Sequence, residues 1–323
     1  MTLQLALLST AGINRKLVAG ARDVDEVELV AIGSRDRARA EAQASEFGIE
    51  RAHGSYEAVL EDPDVDAVYI PLPNSLHVEW SLRALEAGKH VLCEKPLSRH
   101  PEDVERAFDA AERAGRVLTE AFMWRHHPQA RRLVELLPRV GELKLVRSSF
   151  SFPLADPGDV RLSRELEGGA LMDVGCYCVS GSRLVAGEPV EVSAIEVEGG
   201  DGVDARLGAV LRFENDVLGH FDCALDCTNR HELEVVGWDG TLLLHDPWHS
   251  LEPVIELRAA DGSVERVEAE RENPYACELR DLAAAVAGQR QPLLGREDAL
   301  GQARTISALY ESAATGRPVA LSA

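Results

Sequence analysis

The sequence is short of positive charge. Its 34 lysines and arginines stand against 55 aspartates and glutamates, a formal net charge of −21 over 323 residues. Such a surface repels phosphate backbones and anionic lipid. The clustered basic residues, Arg35/Arg37/Arg39 and Arg131/Arg132, are too few to build a nucleic-acid stripe. Long apolar runs are missing as well: no stretch reaches the roughly 18–20 residues of a membrane span. The start, Thr2-Leu3-Gln4-Leu5-Ala6, lacks the basic region of a secretory leader and runs straight into a strand-and-turn pattern. Paired CxxC modules are absent too. Among Cys93, Cys176, Cys178, Cys223, Cys227 and Cys277, the spacings Cys176-x-Cys178 and Cys223-x3-Cys227 have no histidine doublet to complete a metal site. His126-His127 lacks a carboxylate or thiol at suitable spacing and reads as structural. The expectation is a cytoplasmic protein with reduced, buried thiols and no bound metal, nucleic acid or membrane.

What is present is ordinary globular composition, 45% hydrophobic and 28% charged, in a chain long enough for two cores. Across residues 1–120 short apolar runs alternate with helical patterns. Leu3–Leu8, Val27–Ile32, Ala67–Ile70, His90–Cys93 and Val117–Glu120 read as strands. Ile13–Ala21, Arg37–Phe47, His77–Ala87 and Pro101–Ala114 read as helices, the last three followed by Gly48, Gly88 and Gly115. Alternation of this kind means parallel βαβ units, a doubly wound Rossmann sheet that binds ligands beyond the carboxyl ends of its strands.

Four loops therefore surround one crevice: residues 9–14, 33–36, 71–77 and 94–98. The first stands where a G-x-G-x-x-[GA] dinucleotide fingerprint belongs, but Ser9, Ala11 and Asn14 occupy the glycine positions and Gly12 is displaced. Ser9 and Thr10 add hydroxyl donors, and an ordinary βα turn remains an alternative. In the second loop, Ser34-Arg35-Asp36-Arg37-Ala38-Arg39, the strand ends in a cation where NAD-selective folds carry an acid. Arg35 and Arg39, one helical turn apart, suit a ribose 2′-phosphate. Asp36 either accepts from the ribose or caps the next helix.

At Ala87-Gly88-Lys89-His90-Val91-Leu92-Cys93-Glu94-Lys95-Pro96 the chain resembles the Gfo/Idh/MocA oxidoreductases, whose Glu-Lys-Pro signature ends a strand. Asp64–Ile70, Pro73-Asn74-Ser75-Leu76-His77 and Gly168-Gly169-Ala170-Leu171-Met172-Asp173-Val174-Gly175-Cys176-Tyr177 follow in the order of that family. The turn Ser9-Thr10-Ala11, the run Glu120–Arg125 and a tyrosine at 177 resemble its dimeric dihydrodiol dehydrogenase and NADP-dependent D-xylose 1-dehydrogenase branch.

The resemblance implies hydride transfer between nicotinamide and a sugar, cyclic polyol or dihydrodiol, with NADP preferred and NAD open. It implies Lys95 and Tyr177 as acid/base groups facing each other across the interdomain cleft, Asp173 beside them, and a cis bond before Pro96. Either Lys95 or Tyr177 could be the immediate base. The implied cofactor contacts are Ser9, Thr10, Ala11, Gly12, Ile13, Ser34, Arg35, Arg39, Pro71, Leu72, Asn74, His77, Glu94, Lys95, Trp124 and Arg125. Trp124, Arg161, Asp173 and Tyr177 are the candidate substrate contacts, although Trp124 equally suits a core.

From residue 121 on, the strand-like runs at 143–152, 190–197, 205–213, 217–225, 233–236, 241–244 and 254–257 predict a second α+β domain, 121–323, with an open, mainly antiparallel sheet. Helices are expected at Ala170–Val185 and near Ala299–Ala314. By resemblance that sheet makes a homodimer or homotetramer. Two rival functions stand beside the dehydrogenase: a non-catalytic NADP-sensing regulator, and a glycoside-processing or sugar-oxidising-and-reducing enzyme that keeps NAD as an internal redox shuttle.

Overall fold

The structure is a computed structural model that describes residues 2–321; Met1, Ser322 and Ala323 lie outside the described residues. Two compact units result. The first comprises the chain up to His126 together with Asn273–Leu300, and the second comprises His127–Glu272 with the residues from Gly301 on.

The first unit is built on six parallel strands: β1 (Leu3–Leu7), β2 (Val27–Gly33), β3 (Arg51–His53), β4 (Ala67–Ile70), β5 (His90–Glu94) and β6 (Leu118–Ala121). Their order, β3-β2-β1-β4-β5-β6, places the topological switch between β1 and β4. All four residues of β4 are buried, as helices on both faces of a parallel sheet require. Helices Asn14–Ala21, Arg37–Phe47, His77–Glu86 and Pro101–Ala114 match the sequence reading closely. Pro101 opens the last of these, with Glu102 and Asp103 in its first turn and Arg113 in its last, a charge order that suits the helix dipole. Asp36 resolves its two alternatives as a cap, accepting from the amides of Ala38 at 2.9 Å and Arg39 at 3.3 Å.

The sequence places a single boundary after residue 120, whereas the compact units divide differently. The chain leaves the first unit only after His126 and returns to it for Asn273–Leu300. Asn273 caps the returning helix Pro274–Val286 by accepting from the Tyr275 amide at 3.0 Å. This helix packs on Asn14–Ala21 at Gly20, where an added Cβ would lie 2.7 Å from the Tyr275 Cβ and 2.8 Å from the Ala276 nitrogen. Arg280 donates to the Asp23 carbonyl at 3.1 Å and Thr119 to the Leu294 carbonyl at 2.8 Å, fixing both ends of the return.

The second unit carries nine strands: β7 (Leu143–Pro153), β8 (Pro189–Glu198), β9 (Asp204–Phe213), β10 (Leu218–Ala224), β11 (Asp226–Gly237), β12 (Gly240–Leu244), β13 (Val254–Ala259), β14 (Val264–Glu268) and β15 (Val319–Ala320). Their order is β14-β13-β12-β11-β7-β10-β9-β8-β15, antiparallel except for the β7–β10 pair. The seven predicted strands are β7 to β13; β14 and β15 were not anticipated, nor was β3. Burial alternates residue by residue along β9. One face therefore packs inward, and the other leaves Ile195, Val197, Val210 and Leu218 exposed. Among the described residues, no helix is long and apolar enough to cross a membrane.

Gly20 lets two helix backbones touch, so Gly20→Ala should destabilise the chain by roughly 1–3 kcal/mol, although alanine favours a helix by about 1 kcal/mol. Urea unfolding of the two proteins measures this, and an unchanged midpoint would rule out the close contact.

Candidate active site

The first candidate loop is organised by buried polar side chains. Ser9 is buried; its hydroxyl donates to the Pro71 carbonyl at 3.2 Å and accepts from the Ala11 amide at 3.1 Å. Asn14, fully buried in the third glycine position, donates to the Ser9 carbonyl at 2.8 Å and to Gln43 Oε1 at 2.9 Å. Gln43 in turn reaches the Thr10 carbonyl. A side-chain network thus holds the turn that glycines shape in the usual fingerprint. Gly12 is exposed, and a Cβ there would meet nothing within 4 Å. The chain beside Ile13 then opens a helix, whose amino end attracts anions.

Beyond β2, Ser34 is buried and accepts from the Asp36 amide at 3.2 Å. Arg35, Arg37 and Arg39 are all exposed, yet they are used differently. Arg37 pairs with Glu41 at 2.8 Å. Among the described residues, Arg35 and Arg39 have no acidic partner within 4 Å. In a chain with so many more acids than bases, two unpaired cations at the end of β2 are the feature that a 2′-phosphate would satisfy.

Beyond β4 and β5 the loops are tied to each other. His77 is fully buried, with Nδ1 2.8 Å from the Pro96 carbonyl and Nε2 2.8 Å from the Leu72 carbonyl. His77, expected at the cofactor, bridges the two loops through its ring nitrogens. The Lys95–Pro96 bond is cis. Tyr69, also fully buried, donates to a carboxylate oxygen of Glu94, whose other oxygen accepts from the Lys95 amide at 3.3 Å. Burial, with Glu94 beside it, holds the Tyr69 phenol well above its ordinary range, so Tyr69 is a fixed donor. Glu120 accepts from the Leu97 amide at 2.6 Å and secures the far side of the turn. Lys95 leaves this frame half-buried, at the carboxyl end of β5.

Trp124 is only 1% exposed and ranks among the largest fully buried side chains, as the core alternative requires. Arg125, mostly buried, pairs with Asp298 at 3.3 Å, and its guanidinium lies over the Trp124 ring. Pro71, Leu72 and Asn74 stand in the loop after β4, where Pro71 and Leu72 act through their carbonyls. The returning helix adds a residue that sequence reading did not single out. Glu278 is 1% exposed, and among the described residues neither of its carboxyl oxygens has a hydrogen-bond partner. Burial, followed by the charges of Glu94 and Asp281, pushes its carboxyl well above the carboxylate range, which favours the neutral form.

In the second unit, Gly168 and Gly169 close a loop onto Arg161: the Gly169 amide donates to the Arg161 carbonyl at 2.8 Å. A Cβ on Gly168 would overlap that carbonyl. Arg161 then pairs with Asp173 at 2.8 Å and with Asp159 at 3.2 Å. Asp173, the first of the charges acting on it, raises the Arg161 guanidinium further, so this cation is permanent. The predicted helix begins with a wide π-type turn, Leu171–Gly175, before regular helix Cys176–Ala186. Asp173 and Tyr177 are thus no longer separated by one turn of regular helix.

Tyr177 is 8% exposed and sits in an aromatic cluster, 5.3 Å from Phe150 edge-to-face and 6.0 Å from Trp248. His231 and His249 pack against the same Phe150, at 5.6 and 5.5 Å. Trp248 is itself fixed by donating to the Ser149 carbonyl at 3.1 Å. Asp173, Arg161 and Tyr177 thus belong to the second unit, and Lys95 with the proposed cofactor residues belongs to the first.

Comparison with known proteins shows the family. The Gfo/Idh/MocA profile, described as an oxidoreductase family with an NAD-binding Rossmann fold, matches residues 10–122, and the family's C-terminal domain profile matches residues 128–243. The chain belongs to the Gfo/Idh/MocA family. It is 41% identical over 325 residues, 99% of this chain and 100% of the relative, to D-xylose 1-dehydrogenase (NADP(+)) 2 of Haloferax volcanii. Among solved structures it resembles a 3-ketoreductase from Actinomadura kijaniata in complex with NADP and TDP-benzene, with a TM-score of 0.91, 32% identity and coverage of 97% and 98%. It also resembles an aldose-aldose oxidoreductase from Caulobacter crescentus, with a TM-score of 0.92, 29% identity and coverage of 99% and 100%.

The neutral state of Glu278 has a measurable signature. A carboxyl raised in the folded state stabilises below its unfolded value, and that contribution is lost as pH rises toward the folded value. Glu278→Gln cannot ionise in either state, so wild type should lose stability relative to the variant by up to about 1.4 kcal/mol per pH unit above pH 5. Urea unfolding at pH 5 and pH 7.5 checks it; a difference that stays constant with pH would mean that Glu278 ionises normally.

Proposed function

We propose that this chain is an NADP-dependent dehydrogenase that oxidises a CH–OH group of a sugar or cyclic polyol, D-xylose and related aldoses being the first candidates. The observation that carries this reading is Lys95, half-buried at the carboxyl end of β5 between the Glu94–Tyr69 pair and a cis-proline turn, in a chain of this family. The full-length similarity to an NADP-dependent xylose dehydrogenase supports the substrate class.

Arg35 and Arg39 would hold the 2′-phosphate, the turn from Ser9 to Ile13 would receive the pyrophosphate at the helix amino end, and Ser34, Pro71, Leu72, Asn74 and Glu94 would line the remaining cofactor surface. NADP, when bound, supplies the acceptor for the substrate hydrogen and its electron pair. The substrate hydroxyl must lose its proton in the same event, and Lys95 and Tyr177 share that task. Asp173, locked by Arg161, would orient the sugar hydroxyls, and Phe150 and Trp248 would hold the Tyr177 ring from behind.

The exposed Ile195, Val197, Val210 and Leu218 on the open sheet favour a homodimer or homotetramer formed through that face. Six cysteines, none in a disulfide among the described residues, suit a reducing cytoplasm. The likeness to an aldose-aldose oxidoreductase favours one alternative, retention of the cofactor as an internal shuttle between two sugars.

The deciding assay follows absorbance at 340 nm with NADP or NAD against D-xylose, D-glucose, myo-inositol and a trans-dihydrodiol. Lys95→Ala should lower kcat about 100- to 10,000-fold; full activity in that variant would sink the assignment. Cofactor that co-purifies without net reduction would favour the internal shuttle. In the same assay, Arg35→Ala should raise KM for NADP by about 10-fold or more while leaving KM for NAD nearly unchanged, since a charge-assisted hydrogen bond to phosphate contributes about 1.5–3 kcal/mol. Equal changes for both cofactors would remove the 2′-phosphate role.

A further inference from the structure

Asp204 opens β9, is 3% exposed, and among the described residues pairs with no cation. Its Oδ2 accepts from the Leu171 amide at 2.6 Å, and its Oδ1 accepts from the Tyr310 hydroxyl at 2.9 Å. Leu171 is the first residue of the wide turn that carries Asp173 and leads into the helix of Tyr177. Gly169, at φ +118°, passes so close that a Cβ there would fall on Asp204 Oδ1. The same glycine holds the Arg161 carbonyl. One buried carboxylate therefore fixes both the start of the Asp173–Tyr177 segment and the loop that brings Arg161 to Asp173.

We propose that Asp204 is a positioning residue for Asp173 and Tyr177, which grips their segment through the Leu171 amide as a carboxylate and loosens it on taking up a proton. The inference rests on the dehydrogenase reading for its effect on rate. The charged or titratable groups acting around Asp204 are Glu196 on β8, Tyr310 on the C-terminal helix and Cys223 on β10. Burial pushes the Asp204 carboxyl up to about 6, against the opposing bonds from Leu171 and Tyr310. The proton comes from solvent and returns to it, so nothing is oxidised or reduced. A protonated acid makes the weaker, uncharged bond to an amide.

The test uses full-length wild type, Asp204→Asn and Tyr310→Phe between pH 5 and 8.5, with NADP and the reactive sugar. Wild-type kcat should fall as pH drops through about 6. Asp204→Asn, a permanently neutral mimic, should be roughly tenfold slower and flat over that range, with KM less affected. Tyr310→Phe, which removes a donor to the carboxylate, should move the midpoint upward.

A second readout needs no turnover. The near-ultraviolet circular dichroism of the Tyr177, Phe150 and Trp248 cluster should change with the same midpoint in wild type and not in Asp204→Asn. An acid limb that persists unchanged in Asp204→Asn, or a wild-type spectrum that is constant with pH, overturns the proposal. Should no sugar react, the dehydrogenase reading fails alone, and the spectral titration still decides the role of Asp204.

Discussion

Much of the first unit's binding edge hangs on one imidazole. A parallel sheet delivers its strands to a common edge and then leaves each loop to find its own support. His77 supplies that support by lying between the carbonyls of Leu72 and Pro96, so the loops after β4 and β5 move as one body. The Tyr69–Glu94 bond repeats the tie inside the sheet, and Ser9 extends it to the loop after β1 through Pro71. Lys95 thus starts from a backbone held on several sides. If Lys95 acts as proposed, its ammonium gains directional precision from that frame.

Charge is placed with similar economy. The surface is overwhelmingly acidic, yet the cations that matter are arranged singly. Arg37 is neutralised by Glu41, whereas among the described residues Arg35 and Arg39 have no acidic partner within 4 Å. In the second unit, Arg161 is committed to Asp173 and Asp159, leaving a compensated acid beside Tyr177. Glu278 takes the opposite course and keeps its proton, since a second ionised carboxyl near Glu94 would have neither water nor a cation to support it.

Much of this was legible in the sequence. Apolar strands alternating with glycine-stopped helices are a local signal, and the Glu94-Lys95-Pro96 ending of a strand is specific enough to mark the family. The parts that escaped notice depend on distant residues. Nothing local says that Gly20 touches Tyr275, so the return of Asn273–Leu300 to the first unit was invisible. Glu278 looks like any solvated glutamate on a helix until its burial is known. The strand Arg51–His53 is three half-buried residues with no apolar run to betray it. Asn14 was seen as a failed glycine, whereas its amide is the cross-brace that replaces one. The wide turn at Leu171–Gly175 defeats any argument from a spacing of four, since regular pitch was assumed.

The split ownership of the first unit also bears on how the polypeptide is made. A ribosome delivers Leu3 through His126 early, but the helix that covers Gly20 and the segment that receives Thr119 emerge only after eight of the second unit's nine strands, β7 to β14, have been translated. Until then the nascent nucleotide-binding half exposes the apolar flank of Asn14–Ala21 that Tyr275 and Ala276 will cover. Completion of the cofactor half is therefore timed by synthesis of the other half, and until then the newborn chain carries an uncovered helix face of the kind that favours misassociation.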